Sequence, residues 1–121
     1  ARIKSTAVQG CPPEFMGLGP INSTKKALKR AKLDINDIDI VELNEAFASQ
    51  SIACIQELNI NPDIVNMEGG AIALGHPLGA TGTRITAKAA SLMVKKNKKY
   101  ALATQCIGLG QGIATVLERV E

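Results

Sequence analysis

His76 is the single histidine of this chain, and it stands in the run Gly-Gly-Ala-Ile-Ala-Leu-Gly-His-Pro-Leu-Gly-Ala-Thr-Gly-Thr-Arg, Gly69 to Arg84. Cys106 follows in Gln-Cys-Ile-Gly-Leu-Gly-Gln-Gly. Imidazole and thiol are the side chains best suited to moving protons near neutral pH. Glycines beside them let the main chain fold tightly around a reacting atom and aim N–H groups at it. The first chemistry this suggests is a nucleophilic cysteine activated by a histidine.

Those residues need a scaffold, and the periodicity supplies one. Residues 2 to 8 alternate like a strand, and a Gly- and Pro-rich loop follows from Gly10 to Pro20. Asn22 and Ser23 are suitable N-caps for a helix to about Lys32, with Ala27, Leu28 and Ala31 at helical spacing. Ile38 to Leu43 reads as a short strand that delivers Asn44 to a second helix ending near Leu58, on which Ala48, Ile52, Ile55 and Leu58 form the apolar stripe. Ile64 to Met67 is a weaker third strand. A third helix from about Ala80 to Lys96 buries Ile85, Ala89, Leu92 and Met93 on one face. Tyr100 to Gln105 and Ile113 to Val120 are strands on either side of a Gly108 to Gly112 turn.

The order β-α-β-α-β-α-β-β calls for an α/β domain over residues 1–121: a five-stranded mixed, mostly parallel sheet with helices on both faces and an antiparallel last hairpin. Asn44, His76 and Cys106 then fall at or beyond the carboxyl ends of strands. In open α/β sheets that edge collects ligands, because loops converge there with helix amino ends.

Composition narrows the functional classes. The chain has no Trp, one Tyr and two Phe, and a formal charge of +3, which speaks against base stacking and against electrostatic binding of nucleic acid. Lys95, Lys96, Lys98 and Lys99 supply most of the excess charge and read as a solvated helix end and turn. Cys11, Cys54 and Cys106 are odd in number and widely spaced, with no Cys-x-x-Cys pair, so neither a zinc site nor any other metal centre is expected. A reducing, cytoplasm-like compartment is the simpler expectation. No segment approaches the roughly 18 uninterrupted apolar residues of a membrane span. Gly108-Leu109-Gly110-Gln111-Gly112 lacks dinucleotide-loop spacing, and Gly75 to Arg84 lacks the Gly-Lys-Ser/Thr end of a phosphate loop. The chain opens on Ala1 directly inside a strand pattern, which suggests a piece of something longer.

Three motifs in order resemble the carboxyl-terminal half of thiolases: Asn44-Glu45-Ala46-Phe47, Gly69 to Arg84 with its Gly-His-Pro, and Cys106-Ile107-Gly108 with the glycines after it. Met16-Gly17-Leu18-Gly19-Pro20 extends the resemblance towards the start of the chain. It implies a domain that packs on a similar amino-terminal domain in an αβαβα arrangement. The activity implied is acyl transfer between a cysteine and coenzyme A, either cleaving 3-ketoacyl-CoA or condensing acetyl-CoA. Coenzyme A thioesters would be substrates, with no other cofactor, and the complete enzyme would be a homo-oligomer located in the cytoplasm, or in an organelle matrix if eukaryotic.

The resemblance also assigns roles. Cys106 corresponds to the acid/base cysteine, and a nearby imidazole and N–H groups would lower its pKa towards neutrality. His76 corresponds to the histidine that activates a different, nucleophilic cysteine and hydrogen-bonds the thioester oxygen. The motif of that nucleophile belongs to the amino-terminal half and matches neither Cys11, which reads as a surface thiol, nor Cys54, which reads as a small core residue. Asn44 corresponds to the asparagine that holds a water in the same oxyanion hole, though it also suits a helix N-cap. Gly108 corresponds to the donor of a second oxyanion hole. Met16, Ala46 and Phe47 correspond to positions lining the pantetheine and acyl region, with core packing as the rival reading. The last stretch, Cys106 to Val120, is most similar to degradative 3-ketoacyl-CoA thiolases. A noncatalytic coenzyme A or acyl-binding module, or an inactive isolated fragment with an exposed apolar face, are the alternatives.

Overall fold

The structure is a computed structural model and describes residues 1–120. Strand β1, Arg2–Gly10, precedes a short 3₁₀ segment, Pro13–Leu18, and helix α1, Gly19–Ala31. Strand β2, Ile40–Leu43, leads to helix α2, Ala48–Glu57. The short helix α3, Ala71–Leu74, and the long helix α4, Leu78–Lys95, come next, followed by the hairpin of β3, Tyr100–Ile107, and β4, Gln111–Glu118.

The sheet has four strands in the order β1-β4-β3-β2. β2 and β3 pair in parallel, while β4 is antiparallel to both β3 and β1. Three strands therefore share one direction, but the insertion of β4 between two of them makes most of the pairing antiparallel. The expected fifth strand at Ile64–Met67 reduces to one parallel bridge, Val41 to Val65. Asn66 explains why it stops. It is left-handed at φ 47°, and its side-chain amide takes over strand pairing, accepting from Leu43 N–H at 2.9 Å and donating to Leu43 O at 2.8 Å.

Helices cover both faces as the pattern requires. Ala27, Leu28 and Ala31 of α1 and Cys54 of α2 pack with Val41, Leu43, Leu102 and Val116 on one side. Ala89, Leu92 and Met93 of α4 pack with Ile40, Ala101 and Leu117 on the other. Burying a large aliphatic side chain of this kind contributes roughly 1.5–3 kcal/mol. Among the described residues no helix is long and apolar enough to cross a membrane.

The helix starts differ from their expected caps. α1 begins at Gly19, three residues before Asn22, and Ser23 donates back to Gly19 O and Pro20 O from inside the first turn. The earlier start is possible because Gly19 backs directly onto Gly112 of β4, where a Cβ on either residue would collide with the other's segment. α2 begins at Ala48 with Phe47 in the N-cap position, so Asn44 is not a cap. β1 lies at the sheet edge, and α1 covers its outward carbonyls: Lys26 donates to Val8 O at 3.1 Å and Arg30 to Thr6 O at 2.6 Å. Such cover blunts an edge that would otherwise template pairing with other chains.

One residue of the interior is costly. Glu42 is 1% exposed, and among the described residues neither carboxylate oxygen has a hydrogen-bond partner. Burial pushes its carboxyl up to about 7 against the opposing pull of Lys88 and Arg84. A carboxyl whose folded pKa lies above its ordinary 4.5 binds protons more tightly in the native state, so the stability it confers is lost as pH rises from 4.5 towards 7. Glu42→Gln, which removes the charge and keeps the shape, should therefore match the parent chain in thermal melts at pH 5 and melt higher at pH 8. A variant melting lower at pH 8 would contradict this.

Candidate active site

The parallel register of β2 and β3 aligns Leu43 with Thr104. The ladder continues one residue further, since Asn44 N–H donates to Thr104 O at 3.0 Å. Asn44 is fully buried and Cys106 lies two residues beyond Thr104 on the neighbouring strand, so both stand at one sheet edge. Gly108 follows in the exposed β3–β4 turn, where a side chain would meet nothing.

His76 reaches the same edge from the loop between α3 and α4. Its Nε2 lies 3.5 Å from Asn44 Nδ2, and its Nδ1 lies 2.7 Å from Thr81 Oγ1. Thr81 has one hydroxyl hydrogen and donates it to Pro77 O at 3.1 Å. Its oxygen can then only accept, which assigns the ring proton to Nδ1 and leaves the Nε2 lone pair facing the Asn44 amide. That tautomer is the one that can take a proton at Nε2.

The His76 loop is held by Glu45. One carboxylate oxygen accepts from Asn66 Nδ2 and the other from Ile72 N–H, both at 2.9 Å. Gly70 lies against this carboxylate, where any Cβ would overlap it. Glu45 thus ties the end of β2 to the start of α3, and with it the segment that carries His76.

Cys106 behaves differently from expectation. It is half-buried, and among the described residues no hydrogen bond joins it to His76. Burial pushes its thiol up, its own backbone N–H eases it slightly, and the Cys11 thiol adds a further upward push. The lowered pKa expected from a neighbouring imidazole is absent: burial of the thiol dominates, and the ring nitrogens of His76 meet Asn44 and Thr81 instead. Cys106 is held as a thiol, a form that can donate a proton.

The other cysteines divide as their sequence surroundings suggest. Cys54 is fully buried in α2, with its thiol against Gly17 O and Gln50. Cys11 is half-buried in the loop after β1, with its N–H on Gly110 O. Met16 and Ala46 are half-buried and Phe47 is 67% exposed, so none of the three is a core residue. The roles of Thr81, Asn66 and Glu45 are not visible in the sequence reading. Thr81, five residues after His76 at the start of a helix, carried the clearest signal.

Comparison with known proteins identifies the family. The family model for the carboxyl-terminal domain of thiolase matches residues 1–119. The 3-ketoacyl-CoA thiolase of Vibrio cholerae (strain O395) is 60% identical over 98% of this chain and 32% of its own length. That of Photorhabdus laumondii is 55% identical over 100% of this chain and 32% of its own. The crystal structure of human mitochondrial 3-ketoacyl-CoA thiolase superposes with a TM-score of 0.98 at 46% identity, covering 100% of this chain and 31% of that one. A structure of the same human enzyme in complex with CoA gives a TM-score of 0.95 at 45% identity, over 97% of this chain and 30% of that one. The chain thus spans about a third of the length of the relatives it matches, and it belongs to the thiolase carboxyl-terminal domain family.

Proposed function

We propose that this chain supplies one part of the acyl-transfer site of a 3-ketoacyl-CoA thiolase. The Asn44–His76 pair carries this reading, since it stands at the sheet edge that also holds Cys106. His76 Nε2 takes the proton of a nucleophilic cysteine thiol contributed by an amino-terminal domain. That sulfur attacks the 3-keto carbonyl of the substrate, the C2–C3 bond breaks, and its electron pair passes into the enolate of the departing acetyl-CoA.

The imidazolium formed at His76, together with Asn44 and a water, steadies the enolate oxygen. Cys106 gives its proton to the enolate carbon, a step served by a thiol that burial keeps protonated. The resulting thiolate takes the proton of coenzyme A as the coenzyme's sulfur attacks the acyl-enzyme, and the displaced nucleophilic cysteine leaves as a thiolate that regains its proton from His76. In condensation the direction reverses, and Cys106 removes the proton from the acetyl carbon. Gly108 N–H contributes to the oxyanion hole for the tetrahedral intermediate, where one such donor is worth on the order of 10²–10³-fold in rate. Met16, Ala46 and Phe47 line the pantetheine and acyl region, and the exposure of Phe47 favours that role over packing.

Exposed apolar side chains around the site, namely Ile72, Leu74 and Leu78, fit a face covered by the amino-terminal domain. The complete enzyme is a homo-oligomer in this reading. Three unpaired thiols are consistent with a reducing cytoplasm or organelle matrix.

The 121-residue chain by itself should show no thiolytic turnover of 3-ketoacyl-CoA, followed at the magnesium-enolate absorbance. A chimaera in which this chain replaces the corresponding third of the Vibrio cholerae relative should cleave the same substrate. An inactive but folded chimaera would defeat the proposal. In the active chimaera, Cys106→Ala and His76→Ala should each lower kcat by at least about 10²-fold. An unchanged kcat would remove that residue from the mechanism.

A further inference from the structure

Three sets of buried polar atoms lack a partner among the described residues: both carboxylate oxygens of Glu42, the side-chain oxygen of Asn44, and Nε and Nη2 of Arg84. They occupy one layer. Ile40, Glu42 and Asn44 alternate along β2, and Ile40 packs on α4 with Ala89, Leu92 and Met93. Glu42 and Asn44 thus look towards the same helix. On α4, Arg84 lies one turn from Thr81, which holds His76, and one turn from Lys88. Going from the core outwards, β2 and α4 pair level by level: Ile40 with Ala89, Glu42 with Arg84 and Lys88, and Asn44 with the His76–Thr81 pair.

The charged groups around Glu42 are Lys88, Arg84, Glu45 and Glu68. Three of them are engaged elsewhere. Lys88 donates to Glu68, which also accepts from Lys95, and Glu45 serves Asn66 and Ile72. Arg84 is the cation left over, and its free atoms are donors where Glu42 and Asn44 offer only acceptors. A guanidinium is a planar fork suited to serving two acceptors at once.

We propose that Glu42 and Arg84 are a positioning pair for the site: the guanidinium, anchored on Glu42 between β2 and α4, serves Asn44 Oδ1 and keeps Asn44 Nδ2 turned to His76 Nε2. An amide whose oxygen were left unserved would gain by rotating, and rotation would present that oxygen to the Nε2 lone pair, acceptor against acceptor. The orientation of Asn44 is thus set from below by a charge that never touches substrate. This inference rests on the proposed role of Asn44 and His76, and its test has one arm independent of activity.

In the active chimaera, Glu42→Gln, Arg84→Gln and the double variant should each lower kcat about tenfold with KM within about twofold, because loss of either member already releases Asn44. Glu42→Gln should do this while melting no lower than the parent at pH 8. In the 121-residue chain, the imidazole ¹⁵N resonances of His76 should show Nδ1–H with a hydrogen-bonded Nε2, and the Nε2 resonance should move towards its free position in each variant. Unchanged kcat, additive losses near 100-fold in the double variant, or an unmoved Nε2 resonance would each overturn the pair. If the parent chimaera proves inactive, the functional reading fails and the ¹⁵N spectra alone decide this one.

Discussion

The parallel pairing of β2 with β3, prolonged by the bond from Asn44 N–H to Thr104 O, is the constraint from which the site follows. A parallel ladder fixes register without a turn, so it depends on what holds the two strands from outside. β3 is locked on its other side by the β4 hairpin, and β2 is locked by Asn66, whose amide stands in for a strand. A slip of one residue would turn Asn44 to the other face of the sheet and leave His76 facing no amide.

The same small region shows how polar groups are distributed between support and chemistry. Glu45 spends one oxygen on the Asn66 side-chain amide and the other on Ile72 N–H, tying β2 to α3, while Thr81 spends its hydrogen on Pro77 O and so settles the histidine tautomer. Glu42 shows no hydrogen bond among the described residues, and its burial makes its charge a burden on the fold above neutral pH. Buried charges of this kind are seldom retained for stability, since shape-matched neutral replacements often do as well or better. Its place directly beneath Asn44 gives a reason for keeping it that does not involve stability.

Much of this was legible in the sequence. Helical spacing located α1 and α4, whose buried apolar faces survive as a period in the residue order, while α2 lies where it was expected but buries Gln50, Ser51 and Cys54 and leaves Ala48 and Ile52 of the expected stripe exposed. The motifs located Asn44, His76 and Cys106. Non-local effects escaped. The bridge at Val65 resembles a strand until Asn66 turns left-handed, and no pattern reveals that its amide will replace backbone pairing. The start of α1 at Gly19 depends on close contact with Gly112, over ninety positions away. The raised thiol of Cys106 comes from its burial, with the Cys11 thiol adding to it, which spacing does not encode.

β1 carries a consequence for the order in which the molecule comes into being. Among the described residues its one strand neighbour is β4, with Arg2 opposite Glu118, so β1 waits for a partner 116 positions further along the chain. Contacts so distant along the chain form late and slowly. Meanwhile α1 follows within a few residues and can engage the carbonyls of Thr6 and Val8 through Arg30 and Lys26. The two cations thus hold one edge of β1 from the neighbouring helix, within a stretch of chain far shorter than the one that must close before β4 can hold the other.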